Sequence, residues 1–147
     1  MGDRIKVIMD CDPGIDDGIA LAYAAAHQDE LELLAVTTFA GNNTIDKVTK
    51  NALELVDFYG LNVPVARGQE RPLVKEVLHA EEFHGETGLG HCVLPEAKSE
   101  AASDNAVLFI RELLNRLPEG EQVVMIETAP MTNLALLLKV FPEIKNK

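Results

Sequence analysis

Cysteine is scarce. Cys11 and Cys92 are the only two in 147 residues, too few for a disulfide framework in a chain this long, so a secreted disulfide scaffold is excluded and a reducing compartment is expected. Basic residues are also few. Thirteen Lys and Arg face 24 Asp and Glu, and the resulting net charge of −11 repels phosphate backbones and anionic lipid, which excludes nucleic acid and membrane surfaces as partners. Long apolar runs are missing: the longest, Ile19 to Ala26, is far short of a membrane span. Met1-Gly2-Asp3-Arg4 carries no signal-peptide pattern, and Lys6 stands where a myristoylation signal needs Ser or Thr, so a cytoplasmic location is expected. There is no internal repeat, heptad run or low-complexity stretch. What is present, 47% hydrophobic and 25% charged residues, is the composition of a folded globular chain, and the length fits one domain over residues 1–147.

The apolar pattern alternates between strands and helices. Ile5 to Met9 is a short apolar run that stops at Asp10, and Asp12-Pro13-Gly14 breaks the chain before a helical pattern of Ile19, Ala22, Tyr23 and Ala26. Leu31 to Thr38 is a second strand. It leads through Ala40-Gly41-Asn42-Asn43 into a helix with Ile45, Val48, Ala52, Leu55, Val56 and Tyr59 on one stripe. Val63 to Ala66 and Gln122 to Ile126 read as further strands, and 106–117 and 132–141 as further helices. Near-continuous apolar strands, each followed by a helix, imply an α/β fold: an open, Rossmann-like, mostly parallel sheet covered by helices on both faces. Residues 67–102 show no clear period and are expected to form an active-site flap. A strand order of 3-2-1-4 would place the loops after the first and fourth strands on either side of one crevice, making Asp10–Asp17 and Glu127–Thr132 neighbours.

Asp10, Asp12, Asp16 and Asp17 crowd the first of those loops. Neighbouring carboxylates at 4 Å repel by roughly 1 kcal/mol in water and about 4 at a partly buried site. Asp16 as a helix N-cap, with the other three solvated, would account for one aspartate and not for four. A hard divalent cation held by oxygen ligands accounts for the set better, and would also lower the pKa of a coordinated water beside a carboxylate base.

Asp10-Cys11-Asp12-Pro13-Gly14-Ile15-Asp16-Asp17 closely resembles the N-terminal signature of the inosine-uridine-preferring nucleoside hydrolases. Three later segments agree in order: Thr37-Thr38-Phe39-Ala40-Gly41-Asn42, Phe83-His84-Gly85-Glu86-Thr87-Gly88, and Ala129-Pro130-Met131-Thr132-Asn133-Leu134-Ala135. The resemblance covers essentially the whole chain, but only the N-terminal part of the family's enzyme. It implies calcium-dependent hydrolysis of the N-glycosidic bond of ribonucleosides, giving ribose and free base. Carried over by motif, Asp12 would be general base and Ca²⁺ ligand, Asp17 a second ligand, and the Thr128 carbonyl a third. Asp16 and Asn42 would contact ribose, His84 would line the nucleobase side, and Asp10 would support the loop.

The family's further aspartate ligand and its leaving-group histidine are expected beyond Lys147. The nucleoside is the expected small-molecule partner, and a homo-oligomer or a complementary C-terminal polypeptide is expected to cover the open sheet edge and Leu134, Leu137, Leu138 and Phe141. Two other readings compete. A catalytically silent metal-binding or interaction module of the same fold would keep the loop without the reaction. A haloacid-dehalogenase-type phosphatase would use Asp10-Cys11-Asp12 and Thr38, but Pro13-Gly14 and the Asp16-Asp17 pair do not suit it. His79 and His84 are five apart, which fails the spacing of a metalloprotease helix, and flanking aspartates make Cys11 a poor thiolate.

Overall fold

A computed structural model describes residues 4–147; the expectations drawn from Met1-Gly2-Asp3 lie outside the described residues. Four parallel strands, β1 (Ile5–Cys11), β2 (Leu31–Thr38), β3 (Val65–Ala66) and β4 (Val124–Glu127), form one sheet in the order β3-β2-β1-β4. This is the expected order. Five helices, α1 (Ile15–Ala26), α2 (Ile45–Phe58), α3 (Glu81–His84), α4 (Ala106–Arg116) and α5 (Thr132–Val140), and a 3₁₀ turn at Pro142–Asn146 complete the described residues. β3 is shorter than the Val63–Ala66 run because Pro64 has no N–H to donate; its carbonyl instead accepts from Val36 N at 3.0 Å. β4 starts two residues later than expected and extends to Glu127, which pairs with Asp10.

Alternation along the strands builds two cores. Val7, Met9 and Cys11 of β1 and Val36 of β2 pack with Leu21, Ala52, Leu55 and Val56 of α1 and α2. Ile8 and Ala35 face the other way, onto Val107, Ile110, Leu114 and Leu137 of α4 and α5. α4 starts cleanly because the Asn105 side chain accepts from Leu108 N at 3.1 Å.

The face that α1 buries differs from the expected stripe. Gly18, Leu21 and Ala24 turn inward, whereas Ile19 and Tyr23 are 68% and 61% exposed. A helix apolar nearly all round gives periodicity no face to choose, and the narrow side wins because it lets α1 approach α2, where Tyr59 Oη donates to the Gly18 carbonyl at 3.0 Å. The cover expected over α5 is also corrected. Leu137 is fully buried, and Leu134 and Phe141 pack onto the α4/α5 core, which leaves only Leu138 exposed among the four. Exposed apolar side chains also include Ile19 and Tyr23 of α1 and Val124 and Ile126 of β4, which among the described residues is an edge strand paired with β1. No helix among the described residues is long and apolar enough to cross a membrane.

Candidate active site

Parallel register sets one row of side chains across the carboxyl ends of three strands, since Asp10 is paired with Thr37 of β2 on one side and with Glu127 of β4 on the other. Asp10 is fully buried there. Its Oδ1 accepts from Thr37 Oγ1 at 2.6 Å and from Asn133 Nδ2, at the start of α5, at 2.8 Å. Asn133 also donates to the Thr38 carbonyl at 2.9 Å and accepts from Gln69 N at 3.1 Å, which ties three loops to the strand ends. Asp10 Oδ2 and both Glu127 carboxyl oxygens are buried without a hydrogen-bonding donor among the described residues. Burial pushes the Glu127 carboxyl up to about 8, and the adjacent Asp10 charge adds to the shift; burial likewise raises Asp10. A proton retained by Glu127 at neutral pH relieves the repulsion between the two groups.

One residue beyond the strand, the geometry changes from support to reactive groups. Asp12 is 6% exposed; its Oδ2 accepts from Asn42 N at 2.7 Å, and its own carbonyl accepts from Asn42 Nδ2 at 2.9 Å. Gly41 is required at this approach, because a Cβ there would collide with Asp12 Oδ2. Asp17 lies in the first turn of α1, buried, and its Oδ2 accepts from Asp12 N at 3.2 Å. The Thr128 side chain reaches Asp17 from the loop after β4 and stabilises its charged form. Thr128 is placed for this by its own N–H, which donates to the Asp10 carbonyl at 3.0 Å. The loops after β1 and β4 therefore meet at one crevice. Burial lifts Asp12 to about 7 against the opposing Asn42 amide, with the Asp17 charge adding, and burial also raises Asp17.

The four aspartates do not form one cluster. Asp10 belongs to the sheet network, Asp12 and Asp17 are the buried pair, and the Asp16 side chain is 76% exposed. Asp16 is not the N-cap of α1 either; that position is Gly14, which offers no side chain, and Asp16 stands in the first turn. His84, at the end of α3, faces this turn: its Nδ1 accepts from Ile15 N at 3.3 Å and lies 4.0 Å from Asp16 Oδ1. His79 sits nearby, 3.2 Å from the Gly41 carbonyl. Thus Asp12, Asp16, Asp17, Asn42, His84 and Thr128 gather around the carboxyl end of β1, with Asp10 directly beneath.

Among the described residues no ion pair reaches Asp12 or Asp17, and no group of three or more His, Cys, Asp or Glu side chains is placed to hold a metal ion. Two buried carboxylates without a countercharge are nevertheless a donor set that suits a hard cation completed by carbonyl, water or sugar oxygens. Cys11 is buried and free, its thiol pushed well up by burial first and by the surrounding carboxylates second, so it is no nucleophile. Asp10 does not suit the phosphatase reading, since its carboxyl is fully buried and its Oδ1 is held by Thr37 and Asn133.

Sequence reasoning placed Glu127 beside the aspartate loop but gave it no role, and it missed the hydrogen bonds of Asn133. Asn133 lies within a recognised motif, and the strand register sets Glu127 directly beside Asp10.

The family model for inosine-uridine preferring nucleoside hydrolases matches residues 7–147. The chain belongs to this family. It is 41% identical over 142 residues to a non-specific ribonucleoside hydrolase of Escherichia fergusonii, covering 97% of this chain and 46% of the relative. It is 40% identical over 144 residues to an inosine-uridine preferring nucleoside hydrolase of Leishmania major, covering 97% of this chain and 45% of that protein. Among solved structures, a purine-preferring ribonucleoside hydrolase from Gardnerella vaginalis superposes with a TM-score of 0.86 at 33% identity, over 96% of this chain and 45% of that one. A plant nucleoside hydrolase gives a TM-score of 0.88 at 32% identity, over 99% and 46%. The chain spans about half the length of the curated relatives it matches.

Proposed function

We propose that this chain carries the water-activating and sugar-binding part of a nucleoside hydrolase site, for hydrolysis of the N-glycosidic bond of ribonucleosides to ribose and free base. The observation that carries the reading is the buried Asp12/Asp17 pair at the strand-end crevice, held by Asn42 N–H and the Thr128 side chain. Ca²⁺ is the proposed cation, with the Asp12 and Asp17 carboxylates and the Thr128 carbonyl as its ligands. When bound, it supplies positive charge that lowers the pKa of a nearby water and attracts the vicinal ribose hydroxyls.

The chain's own groups divide the remaining work. Asp12 Oδ2 is fixed by the Asn42 amide, which leaves the other carboxylate oxygen to take a proton from the attacking water. The water oxygen then bonds to the anomeric carbon as the glycosidic electron pair leaves with the base. Asp16, exposed at the rim, and the Asn42 side-chain oxygen accept from ribose hydroxyls. His84, on the segment 67–102 that we assign as the flap over this site, faces the nucleobase side. The proton needed by the departing base is assigned by the family resemblance to a histidine C-terminal to this segment. A complementary polypeptide or second copy has a natural place on the open β4 edge beside Ile19 and Tyr23.

Ribose release from inosine and uridine, measured on the 147-residue chain with calcium and with chelator, tests the proposal. Calcium-dependent release is expected, slower than that of a full-length relative by about 10²- to 10⁴-fold, the usual contribution of a general acid. Release indifferent to chelation, release at the full-length rate, or none at a sensitivity roughly tenfold below that range would each contradict it.

A further inference from the structure

Asn43, just before α2, and Lys47 and Asn51 on it form a row of side-chain donors at a spacing of four. All three reach carbonyls of the turn that follows α3. Asn43 Nδ2 donates to the Glu86 carbonyl at 3.0 Å and Lys47 Nζ donates to the same oxygen at 2.7 Å. Asn51 differs from the other two. It is 4% exposed, and its Nδ2 donates both to the Thr87 carbonyl at 2.8 Å and to the Pro13 carbonyl, inside the aspartate loop, at 3.1 Å. A buried amide nitrogen with two hydrogens thus meets two acceptors, one from each of two loops. The turn is shaped to allow it. Gly88 has φ +93°, and a Cβ there would stand 2.8 Å from Asn51 Nδ2. Gly90 N closes the turn by donating to the His84 carbonyl at 2.7 Å, and Leu89 anchors it in the α1/α2 core.

We propose that Asn51 is a positioning residue, which locks the 84–90 turn onto the aspartate loop and so holds His84 against Ile15 and Asp16. Asn51 touches neither His84 nor the carboxylates; it acts through the Pro13 and Thr87 carbonyls. Ile15 N–H reports its effect, because it lies at the start of α1, where the helix offers no carbonyl, and donates to His84 Nδ1. The consequence for nucleoside affinity rests on the function proposed above.

Amide hydrogen exchange of the chain, without metal or substrate, tests the clamp in Asn51→Asp, which keeps the side chain's shape but removes its donors, and in Gly88→Ala, which crowds the same contact. Exchange at Ile15 and Gly90 should accelerate about tenfold or more in each variant, while Ile8 and Met9 of β1 change less than about twofold, and the double variant should show no further loss. An unchanged Ile15, an equal acceleration in β1, or additive effects would overturn the proposal. With calcium present, the inosine KM should rise while kcat is retained, since His84 contributes to binding alone. Altered exchange with an unmoved KM would leave the clamp standing and refute the base-side role of His84, so the two failures are separable.

Discussion

Asp12→Asn is expected to lower calcium-dependent ribose release by at least about 10²- to 10⁴-fold, the range for loss of a general base, and at the same time to raise the thermal stability of the metal-free chain. The two effects share one cause. Asp12 is buried beside Asp17 with no cation among the described residues, and burial holds its carboxyl at about 7, so the folded chain tolerates its charge poorly. An asparagine at this position keeps an oxygen to accept from Asn42 N–H but carries neither the charge nor the basicity. Where stability is given up for function, removing the functional charge restores it. Thermal unfolding and ribose release on the same preparations check both directions. A variant that is both less stable and fully active would contradict the assignment of Asp12.

The second large effect is the pH dependence of metal-free stability. Asp12 and Glu127 are both raised, to about 7 and about 8, and Asp10 and Asp17 are raised as well, all with burial as the largest cause. A carboxyl whose folded pKa exceeds its unfolded value binds more protons folded than unfolded, so stability falls as pH rises between the two values. The loss should begin near pH 4 and end near pH 8. Asp57 works in the opposite sense: its carboxylate accepts from Lys98 N, Ser99 N and Ser99 Oγ and is held below its usual value, but it lies at the solvent-screened surface and its contribution is small. Scans in chelator should give a Tm at pH 5.5 higher than at pH 8.5 by more than about 5 °C. Asp12→Asn should lessen the slope between about pH 4 and pH 7, and Glu127→Gln should lessen it throughout and remove the part between pH 7 and pH 8. A flat or rising profile would show that the carboxylates are not held protonated by burial.

The bounds of β2, the stripe of α2 and the strand order could be read from the residues because each rests on a single local pattern: a continuous apolar run, a 3.6-residue period, and a strand–helix alternation that admits few topologies. The facing of α1 could not, since Ile19, Ala22 and Tyr23 are as apolar as Leu21 and Ala24, and only the packing of α2 decides between them. In the site, Asp12, Asp16 and Asp17 were legible as a dense local sequence, yet their separation into a buried pair and an exposed neighbour depends on which side of α1 turns inward. Glu127 was legible as a neighbour of the aspartate loop, but its direct pairing with Asp10 and the proton it retains were not. Its partner is 117 positions away, and the pairing exists only because β1 and β4 lie side by side in register. Asn51 escaped because a polar residue within a helix reads as solvent-facing until a second loop folds over it.

Calorimetric titration of calcium into the metal-free chain at pH 7.5, alongside Asp12→Ala and Asp17→Ala, tests most directly whether these two carboxylates form a cation site. A one-to-one isotherm is expected for the unaltered chain, with proton release on binding because Asp12, with a pKa of about 7, is still partly protonated at this pH, and no detectable binding in either variant. Coincident isotherms for the three proteins, or no calcium uptake by the unaltered chain, would contradict it.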